Sequence, residues 1–329
     1  MTTDRKNING ICYILDKENK TASVCCLDDD EHYEGYIQIP SIVTYKECYR
    51  VCSIGEKAFK DCRELTTITI PDSVTSIRDK AFENCSGLTS ISIPDSVTEI
   101  GDCAFECCSS LTSISISNTI TYIGGGIFYG CSSLTSISIP GSVTSIGDAT
   151  LLEGAFEGCI GLTSINIPKN VTSIGSEAFR GCSGLTSISI PDSITSIGVN
   201  AFRECTSLTS ITIPNNIQYI GSGAFTDTHW YNSLPNGPIY IGKVLYAYKG
   251  KMPSNTTVVI EDGTIMISDS AFEGCTGLTS IIIPNSVTKI GNEAFHGCEN
   301  LQTIYIPHGM TDVFCQMGLE DWRDKMIEV

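Results

Sequence analysis

Basic residues are scarce in this chain of 329 residues, in which 20 lysines and arginines stand against 37 aspartates and glutamates. The resulting net charge of −17 repels the phosphates of nucleic acid and the anionic surfaces of membranes, so we expect no nucleic acid partner. The chain also lacks any run of about 18 consecutive apolar residues, the length that a transmembrane helix requires. We therefore expect no membrane insertion. The polar amino terminus, MTTDRKNING, has no apolar stretch of the signal-peptide type.

The groups that usually carry catalysis are also few. Only four histidines occur, in separate parts of the chain: His32, His229, His296 and His308. None of them stands beside a candidate nucleophile, and the sequence lacks a phosphate-binding loop, an H-E-x-x-H metal motif and a G-x-S-x-G elbow. We therefore predict no catalytic residue, no metal site and no cofactor, and hence a protein that is not an enzyme.

What the sequence does contain is a repeat with a period of 23 residues. The segment LTSISIPDSVTEIGDCAFECCSS starts at Leu88 and begins again at Leu111 as LTSISISNTITYIGGGIFYGCSS. Leucine recurs at the same place along most of the chain, at Leu65, Leu88, Leu111, Leu134, Leu162, Leu185, Leu208, Leu278 and Leu301. The step from Leu134 to Leu162 is 28 residues, which indicates an insertion of five residues at about 149–153. A period of this length indicates a solenoid in which each repeat forms one coil.

Each repeat reads as a short strand followed by turns, because no segment of it is long enough for a helix of several turns. In one copy Ile91 alternates with its flanking serines, which predicts a strand with isoleucine inward and serine outward. Pro94 then ends the strand because it has no N–H to donate. Ala104 and Phe105 fill the far side of the coil. One coil cannot bury its apolar edge alone, so neighbouring coils stack and pair their strands into a parallel sheet.

The repeat unit, L-x-x-I-x-I-P-x-x-V-x-x-I-G-x-x-A-F-x-x-C, resembles the BspA-like class of leucine-rich repeats, a 23-residue type of bacterial and some protist surface proteins. The resemblance covers about residues 37–306. It rests on the copies of Ile93, Pro94, Ile100, Gly101, Ala104, Phe105 and Cys108. It implies a leucine-rich-repeat solenoid, a curved stack of coils that is mostly β-strand and turns, with a parallel β-sheet on the concave face and a cap at each end. It also implies attachment to proteins or host surfaces.

Cysteine is abundant, and nine of the 17 cysteines share one position of the repeat. These nine are Cys62, Cys85, Cys108, Cys131, Cys159, Cys182, Cys205, Cys275 and Cys298. Equivalent positions lie one strand spacing apart, so we predict a ladder of buried thiols that behave as small apolar side chains. A 23-residue spacing supplies no C-x-x-C chelate, which disfavours metal binding. Outside the ladder, Cys12 and Cys25 lie opposite each other if the first hairpin turns at 18–19, and a disulfide between them is an open alternative.

The repeat divides the chain into five segments. Residues 1–61 are expected to form a cap of β-hairpins with a first degenerate repeat, and residues 62–225 to form regular coils. The pattern breaks at 226–254, where IYI and VLYAY predict an inserted hairpin in place of one coil. Regular coils return at 255–306, and the mixed apolar spacing of 307–329 predicts a helical cap. The acidic run at 28–31 lacks the spaced ligands of a calcium loop, so we expect a solvated turn.

One outward row of side chains changes character in the last coils. It is small and polar at Thr69, Ser92, Ser115, Ser138, Asn166, Ser189 and Thr212. It becomes apolar at Val259, Ile282 and Tyr305, which stacking across strands should merge into one exposed strip. The irregular segment adds five aromatic residues, namely Trp230, Tyr231, Tyr240, Tyr246 and Tyr248. We predict a binding site where the two groups converge. The alternative is that the inserted hairpin folds over the strip and buries it.

The repeat architecture favours a binding scaffold over an enzyme. The resemblance implies a cell-surface or secreted protein that recognises another protein, such as a host surface or matrix protein, with a glycan as the less favoured ligand. The unpaired cysteines and the lack of a signal sequence favour the alternative, a cytoplasmic scaffold for protein assembly. The sequence leaves both locations open.

Overall fold

The computed structural model describes residues 4–27, 31–147 and 153–329. It confirms the predicted fold class, because the chain forms a leucine-rich-repeat solenoid of about 12 coils with parallel sheets and few helices. Two sequence features fall on residues outside the described part: the aspartates at 28–30 of the acidic run, and all but the last residue of the insertion at 149–153.

The amino-terminal cap is built from antiparallel strands. Its strands are Asp4–Ile8, Ile11–Asp16, Thr21–Cys25, Ile42–Tyr45 and Glu47–Ile54. The first three form a meander and the last two form a hairpin. The third and fifth strands pair in parallel, which joins the cap to the first coil. In the meander Cys12 lies opposite Cys25 with the two Sγ atoms 3.1 Å apart, and both residues are free thiols.

Each coil contributes a short strand to one face of the solenoid, called here the sheet face. These strands are Gly35–Gln38, Leu65–Thr69, Ser90–Ser92, Ser113–Ser115, Ser187–Ser189, Ser210–Thr212, Thr256–Val259, Leu278–Ile282, Thr303–Ile306 and Met326–Glu328. Ser138 and Asn166 continue the row as single bridges. Pairing extends to Ile93, whose N–H donates to the Ser115 carbonyl at 2.9 Å, and stops at Pro94, as the sequence predicts.

A second row of two-residue strands runs along the next side of the coils. It consists of Ser76–Ile77, Glu99–Ile100, Tyr122–Ile123, Ser145–Ile146, Ser173–Ile174, Ser196–Ile197, Tyr219–Ile220, Met266–Ile267 and Lys289–Ile290. The isoleucine that ends each strand is buried, so this row closes the second wall of the core.

The third side of each coil is a turn around the Ala-Phe pair, called here the turn face. Its phenylalanines are all buried: Phe59, Phe82, Phe105, Phe128, Phe156, Phe179, Phe202, Phe225, Phe272 and Phe295. Successive rings from Phe59 to Phe225 stack with centroids 5.1 to 5.8 Å apart. The stack is interrupted after Phe225 and resumes from Phe272 to Phe295 at 5.5 Å. The stacked rings form a continuous apolar spine on each side of this interruption.

An irregular unit separates the two parts of the solenoid. It contains a one-turn helix, His229–Ser233, and an antiparallel hairpin of Gly237–Ile241 and Val244–Lys249. Because the hairpin strands pair with each other, the sheet-face strands on either side of the unit belong to separate sheets. The parallel sheet is therefore not continuous along the whole molecule.

The carboxy-terminal cap combines helical turns with a final strand. An α-helical turn, a π-helical segment and a 3-10 helix follow one another over Thr311–Phe314, Cys315–Leu319 and Glu320–Lys325. The strand Met326–Glu328, which the sequence pattern does not predict, then pairs in parallel with Thr303–Ile306. The cap thus covers the last coil and also adds one strand to the sheet face.

Candidate functional site

The apolar positions predicted on the sheet face form one continuous row. Val259 is the register partner of Ile282, and Ile282 is the partner of Tyr305. The row continues to Ile327, which pairs with Tyr305 from the final strand. We call these four residues the apolar strip. Sequence reasoning missed Ile327 because it lies outside the repeat, in the segment where the apolar spacing predicts a helical cap.

The apolar strip is accessible to solvent. Val259 is 62% exposed and Ile327 is 47% exposed, whereas Ile282 and Tyr305 are half-buried between their neighbours in the row. The hairpin of the irregular unit leaves Val259 exposed, which disfavours the alternative that the hairpin folds over the strip. The residues one position earlier, such as Val258 and Ile281, point inward and are buried. The alternation of the strands thus divides apolar side chains between the core and the surface.

Three of the predicted aromatic residues instead lie at the end of the first phenylalanine stack, next to Phe225. Trp230 and Tyr246 contact the Phe225 ring edge to face, with centroids 5.2 and 5.7 Å away. Tyr231 packs against Tyr246 at 5.9 Å. These rings close the core where the next phenylalanine would stack, so they lie at the turn face and not in the apolar strip.

The other two aromatic residues link the irregular unit to the coil that follows it. The Tyr248 ring lies 6.3 Å from the Phe272 ring and begins the second part of the stack. The Tyr240 hydroxyl accepts a hydrogen bond of 3.2 Å from the backbone N–H of Glu261, two residues beyond Val259. Of the five aromatics, Tyr240 is thus the one that the structure brings next to the strand of the apolar strip.

The described residues form a repeat protein whose sheet face is mostly polar and is apolar at one end. A sequence profile of the BspA-type leucine-rich-repeat region, with six copies of the repeat, matches residues 52–153, 149–237 and 239–316. The chain belongs to this family.

Two solved structures are similar to this BspA-type chain over nearly its whole length. A leucine-rich cell surface protein from Faecalibacterium prausnitzii is 32% identical with a TM-score of 0.59, and the match covers 92% of this chain and 76% of that one. A leucine-rich-repeat protein from Bacteroides ovatus is 28% identical with a TM-score of 0.54, covering 92% and 70%. No curated protein matches the chain. The described part of the chain contains no helix with the length and hydropathy of a membrane span.

The cysteine ladder of this BspA-type solenoid is buried, and it has a hydrogen-bonding role that sequence reasoning missed. The Cys182 thiol donates to the Phe156 carbonyl at 3.1 Å, and the Cys205 thiol donates to the Phe179 carbonyl at 3.0 Å. The same bond recurs at Cys85, Cys108, Cys131, Cys159 and Cys298. Burial raises the pKa of Cys205 to about 12 and that of Cys182 well above its usual range. These thiols therefore stay protonated and serve structure rather than nucleophilic chemistry.

Proposed function

We propose that this BspA-type solenoid is a non-enzymatic scaffold that binds a partner protein through the apolar strip. The observation that supports this proposal is the change from small polar residues to Val259, Ile282, Tyr305 and Ile327 along one row of the sheet face. Clustered aliphatic and aromatic side chains form the centres of most protein-binding hot spots. The apolar strip supplies such an anchor, which the serine and threonine rows elsewhere on the sheet face lack.

The surroundings of the apolar strip favour a protein over other ligands. Its four strands span about 14 Å at the usual strand spacing. A parallel row of hydroxyls from Thr257, Ser280 and Thr303 runs beside it, with Thr257 and Ser280 hydrogen-bonded at 2.6 Å. An apolar centre with a polar rim is the usual arrangement of a protein interface. A glycan is less favoured because the strip has one aromatic ring and no charged side chain to bind sugar hydroxyls.

The proposed function contains no chemical step. The ladder thiols are buried and protonated, and the described residues contain no group of three or more His, Cys, Asp or Glu side chains placed to hold a metal ion. The regular Ser and Thr side chains bind backbone carbonyls of the preceding coil, as Thr112 does to Thr89 at 3.1 Å and Thr209 to Thr186 at 3.2 Å. Their recurrence from coil to coil supports a structural role.

We place the scaffold at the cell surface or in secreted form, with a host surface or matrix protein as the partner class. The support is the similarity to the cell surface protein of Faecalibacterium prausnitzii. The 17 free thiols favour the alternative, a scaffold in a reducing cytoplasm. Labelling of intact cells with an impermeant reagent distinguishes the two. Labelled protein supports the surface location, and labelling only after lysis contradicts it.

The test of the apolar strip replaces Ile282 and Tyr305 with serine, the residue type of the earlier coils. Short random peptides displayed on phage are selected against the wild-type protein and serve as the probe. We expect a set of the selected peptides to lose roughly tenfold or more in affinity for the double variant, because the exposed anchors are gone. The melting temperature should change little because both side chains are only half-buried.

The matched control for this test lies in the polar part of the same row. Ser92→Ala combined with Ser115→Ala changes two neighbouring outward positions and should leave the affinity unchanged. If every selected peptide binds the wild type and the serine double variant equally, the proposal is contradicted. A large loss of stability with intact binding contradicts it as well, since the two side chains would then belong to the core.

A further inference from the structure

At the turn face most regular coils donate three backbone hydrogen bonds to the coil that follows. The residue before the Ala-Phe pair, the phenylalanine and the residue two positions later each donate to the next coil. At Phe202 these donors are Asn200, Phe202 and Glu204, which bind the carbonyls of Ser222, Ala224 and Thr226 at 2.8 to 3.0 Å. The same three bonds link the turn of Phe272 to that of Phe295. Each regular turn therefore lies between two rows of backbone groups. The preceding coil presents a row of N–H donors to it, and the following coil presents a row of carbonyl acceptors. We call these two rows the donor wall and the acceptor wall.

The irregular unit keeps only the central bond of this pattern. The Phe225 N–H donates to the Tyr246 hydroxyl at 3.0 Å, and the Tyr248 N–H donates to the Ala271 carbonyl at 2.7 Å. The chain of the irregular unit is a continuous strand, Val244–Lys249, at the place where a regular coil would form its turn. One coil's turn is thus missing between Phe225 and Phe272.

The outer groups of both walls are left without partners. On one wall the N–H groups of Gly223 and Asp227 make no hydrogen bond to the described part of the chain. On the other wall the carbonyls of Asp269 and Glu273 accept none from it.

Between most neighbouring regular coils the equivalent groups are paired with each other. One exception is Gly154, whose N–H donates to the Glu157 side chain, and the donors of the last coil, Glu293 and Gly297, face the carboxy-terminal cap without a main-chain partner in the described residues. The unpaired groups of the two walls gain most from a ligand that offers both donors and acceptors.

An open cleft of about 730 Å³ lies between these walls, lined by both turns and by Tyr231, Tyr246 and Tyr248. The surroundings of Gly274 show that the space between the two turns is unfilled. A Cβ atom built on Gly274 meets nothing within 4 Å, whereas one on Gly297, a coil later, lies 3.2 Å from the Gly274 backbone. A side chain at this repeat position therefore points toward the turn of the preceding coil. Gly274 has no such turn next to it, so a side chain there would enter open space. We call this space the turn-face cleft.

A polar contact links the two walls on the side of the second strand row. The Tyr219 hydroxyl donates to the Asp269 carboxylate at 2.8 Å, across the position of the irregular unit. The Lys289 ammonium lies 4.5 Å from the centre of the Tyr219 ring. These contacts hold the walls together, so the turn-face cleft is a built feature of the fold.

We propose that the turn-face cleft binds a short polypeptide segment of a partner protein, which takes the place of the missing turn. A main chain carries carbonyls for Gly223 and Asp227 and N–H groups for Asp269 and Glu273, the groups that most regular turns supply at these positions. The tyrosines offer an apolar floor for a side chain of the segment. Among the charged side chains that line the cleft, the acidic Asp269 and Glu273 outnumber the basic Arg203, which disfavours an anion and favours a neutral or basic peptide. This site is separate from the apolar strip.

The first test fills the turn-face cleft with a side chain that the backbone tolerates. Gly274 has a φ of +67°, and Asn84 occupies the same repeat position with a φ of +60°. In Gly274→Asn the new amide should reach into the cleft, as the Asn84 amide reaches Asp61 at 3.0 Å in a regular pair of coils. We expect peptides selected by phage display on the wild-type protein to include a set that loses roughly tenfold or more in affinity for this variant.

Two comparisons keep the test of the turn-face cleft specific. Gly181→Asn makes the same change where a Cβ has ordinary contact, 3.7 Å from the Gly158 nitrogen, and should not alter peptide affinity. The Ile282→Ser, Tyr305→Ser variant should still bind the cleft peptides, which separates this site from the apolar strip. A peptide set unaffected by Gly274→Asn overturns the proposal. So does a cleft that binds oligosaccharides on a glycan array but no peptide.

Backbone amide exchange provides the second test. A bound peptide should slow exchange at Gly223 and Asp227, the two unpaired donors, while the regular turns at 177–181 stay unchanged. Exchange at these two amides that is the same with and without peptide would overturn the assignment.

Discussion

At the scale of single residues, the phenylalanine of each repeat makes the main contact between coils. The Phe179 ring is fully buried and stacks between Phe156 and Phe202, with both centroids 5.3 Å away. Sequence reasoning predicts this residue as core because the 23-residue period brings equivalent positions together. The face-to-face stacking of the rings follows from the strict repetition of the backbone, which gives every ring the same orientation.

We predict that Phe179→Ala costs about 3 to 5 kcal/mol of unfolding free energy, the usual loss for a large buried aromatic side chain. The loss arises because the flanking rings cannot collapse into the space while their coils keep their register. Chemical denaturation measures it, with Ser189→Ala on the exposed sheet face as the control. Unfolding curves that coincide for the wild type and Phe179→Ala would show that the ring does not face the interior.

The cysteine ladder shows what residue patterns leave out. The shared position predicts burial, and burial is observed. Seven of the nine thiols donate a hydrogen bond to a phenylalanine carbonyl of the preceding coil. This bond depends on the backbone path of the turn, which cannot be read from the sequence pattern. The Phe156 carbonyl, for example, accepts both the Cys159 N–H at 3.1 Å and the Cys182 thiol at 3.1 Å. A small side chain with a donor fits this place better than alanine.

At the scale of elements, one carboxylate joins the final strand to the helical turn of the cap, in addition to the backbone pairing of this strand with the last coil. Glu328 accepts hydrogen bonds from the Thr311 hydroxyl at 2.6 Å and the Thr311 N–H at 3.3 Å. The hydrogen bond from the Thr311 hydroxyl, with those from the Gly309 and Thr311 backbone, lowers the pKa of Glu328 from 4.5 to about 2. The strand carries Ile327, so this contact also positions one end of the apolar strip.

We predict that acid loosens this strand. Because the folded pKa of Glu328 is depressed, its stabilising contribution is complete above pH 4.5 and is lost as the pH falls through about 2. Amide exchange in Met326–Glu328, corrected for intrinsic rates, should therefore accelerate across that window. Glu328→Gln removes the titration and serves as the control. An acid response that is equally large in Glu328→Gln would contradict this account.

The irregular unit marks where prediction from sequence stops. Its hairpin can be anticipated, because IYI and VLYAY flank a short turn. The places of its aromatic residues cannot, because the 23-residue register that assigns each side chain to a face is lost there. Trp230 and Tyr246 consequently close the phenylalanine stack, whereas Tyr240 reaches the strand of the apolar strip. The turn-face cleft is likewise invisible in the sequence, since it consists of backbone groups that lack a neighbour.

At the scale of the whole molecule, repetition makes the fold predictable and its interruptions give it specificity. Three members of the apolar strip can be predicted because they share one position of the repeat. The fourth, Ile327, lies in the carboxy-terminal cap, where no repeat assigns side chains to a face. Most of the sheet face is a uniform polar surface. The apolar strip interrupts that surface, and the turn-face cleft interrupts the regular turn face. Both lie toward the carboxy-terminal third of the chain.

The most direct test of the account is the footprint of a bound ligand on the sheet face. Amide exchange of the full chain is compared with and without a peptide that requires Ile282 and Tyr305. We predict slower exchange in Thr256–Val259, Leu278–Ile282 and Thr303–Ile306, with no change in Ser90–Ser92 and Ser113–Ser115. Protection confined to the polar strands, or spread evenly over the sheet face, would contradict the claim that the apolar strip is where this scaffold binds its partner.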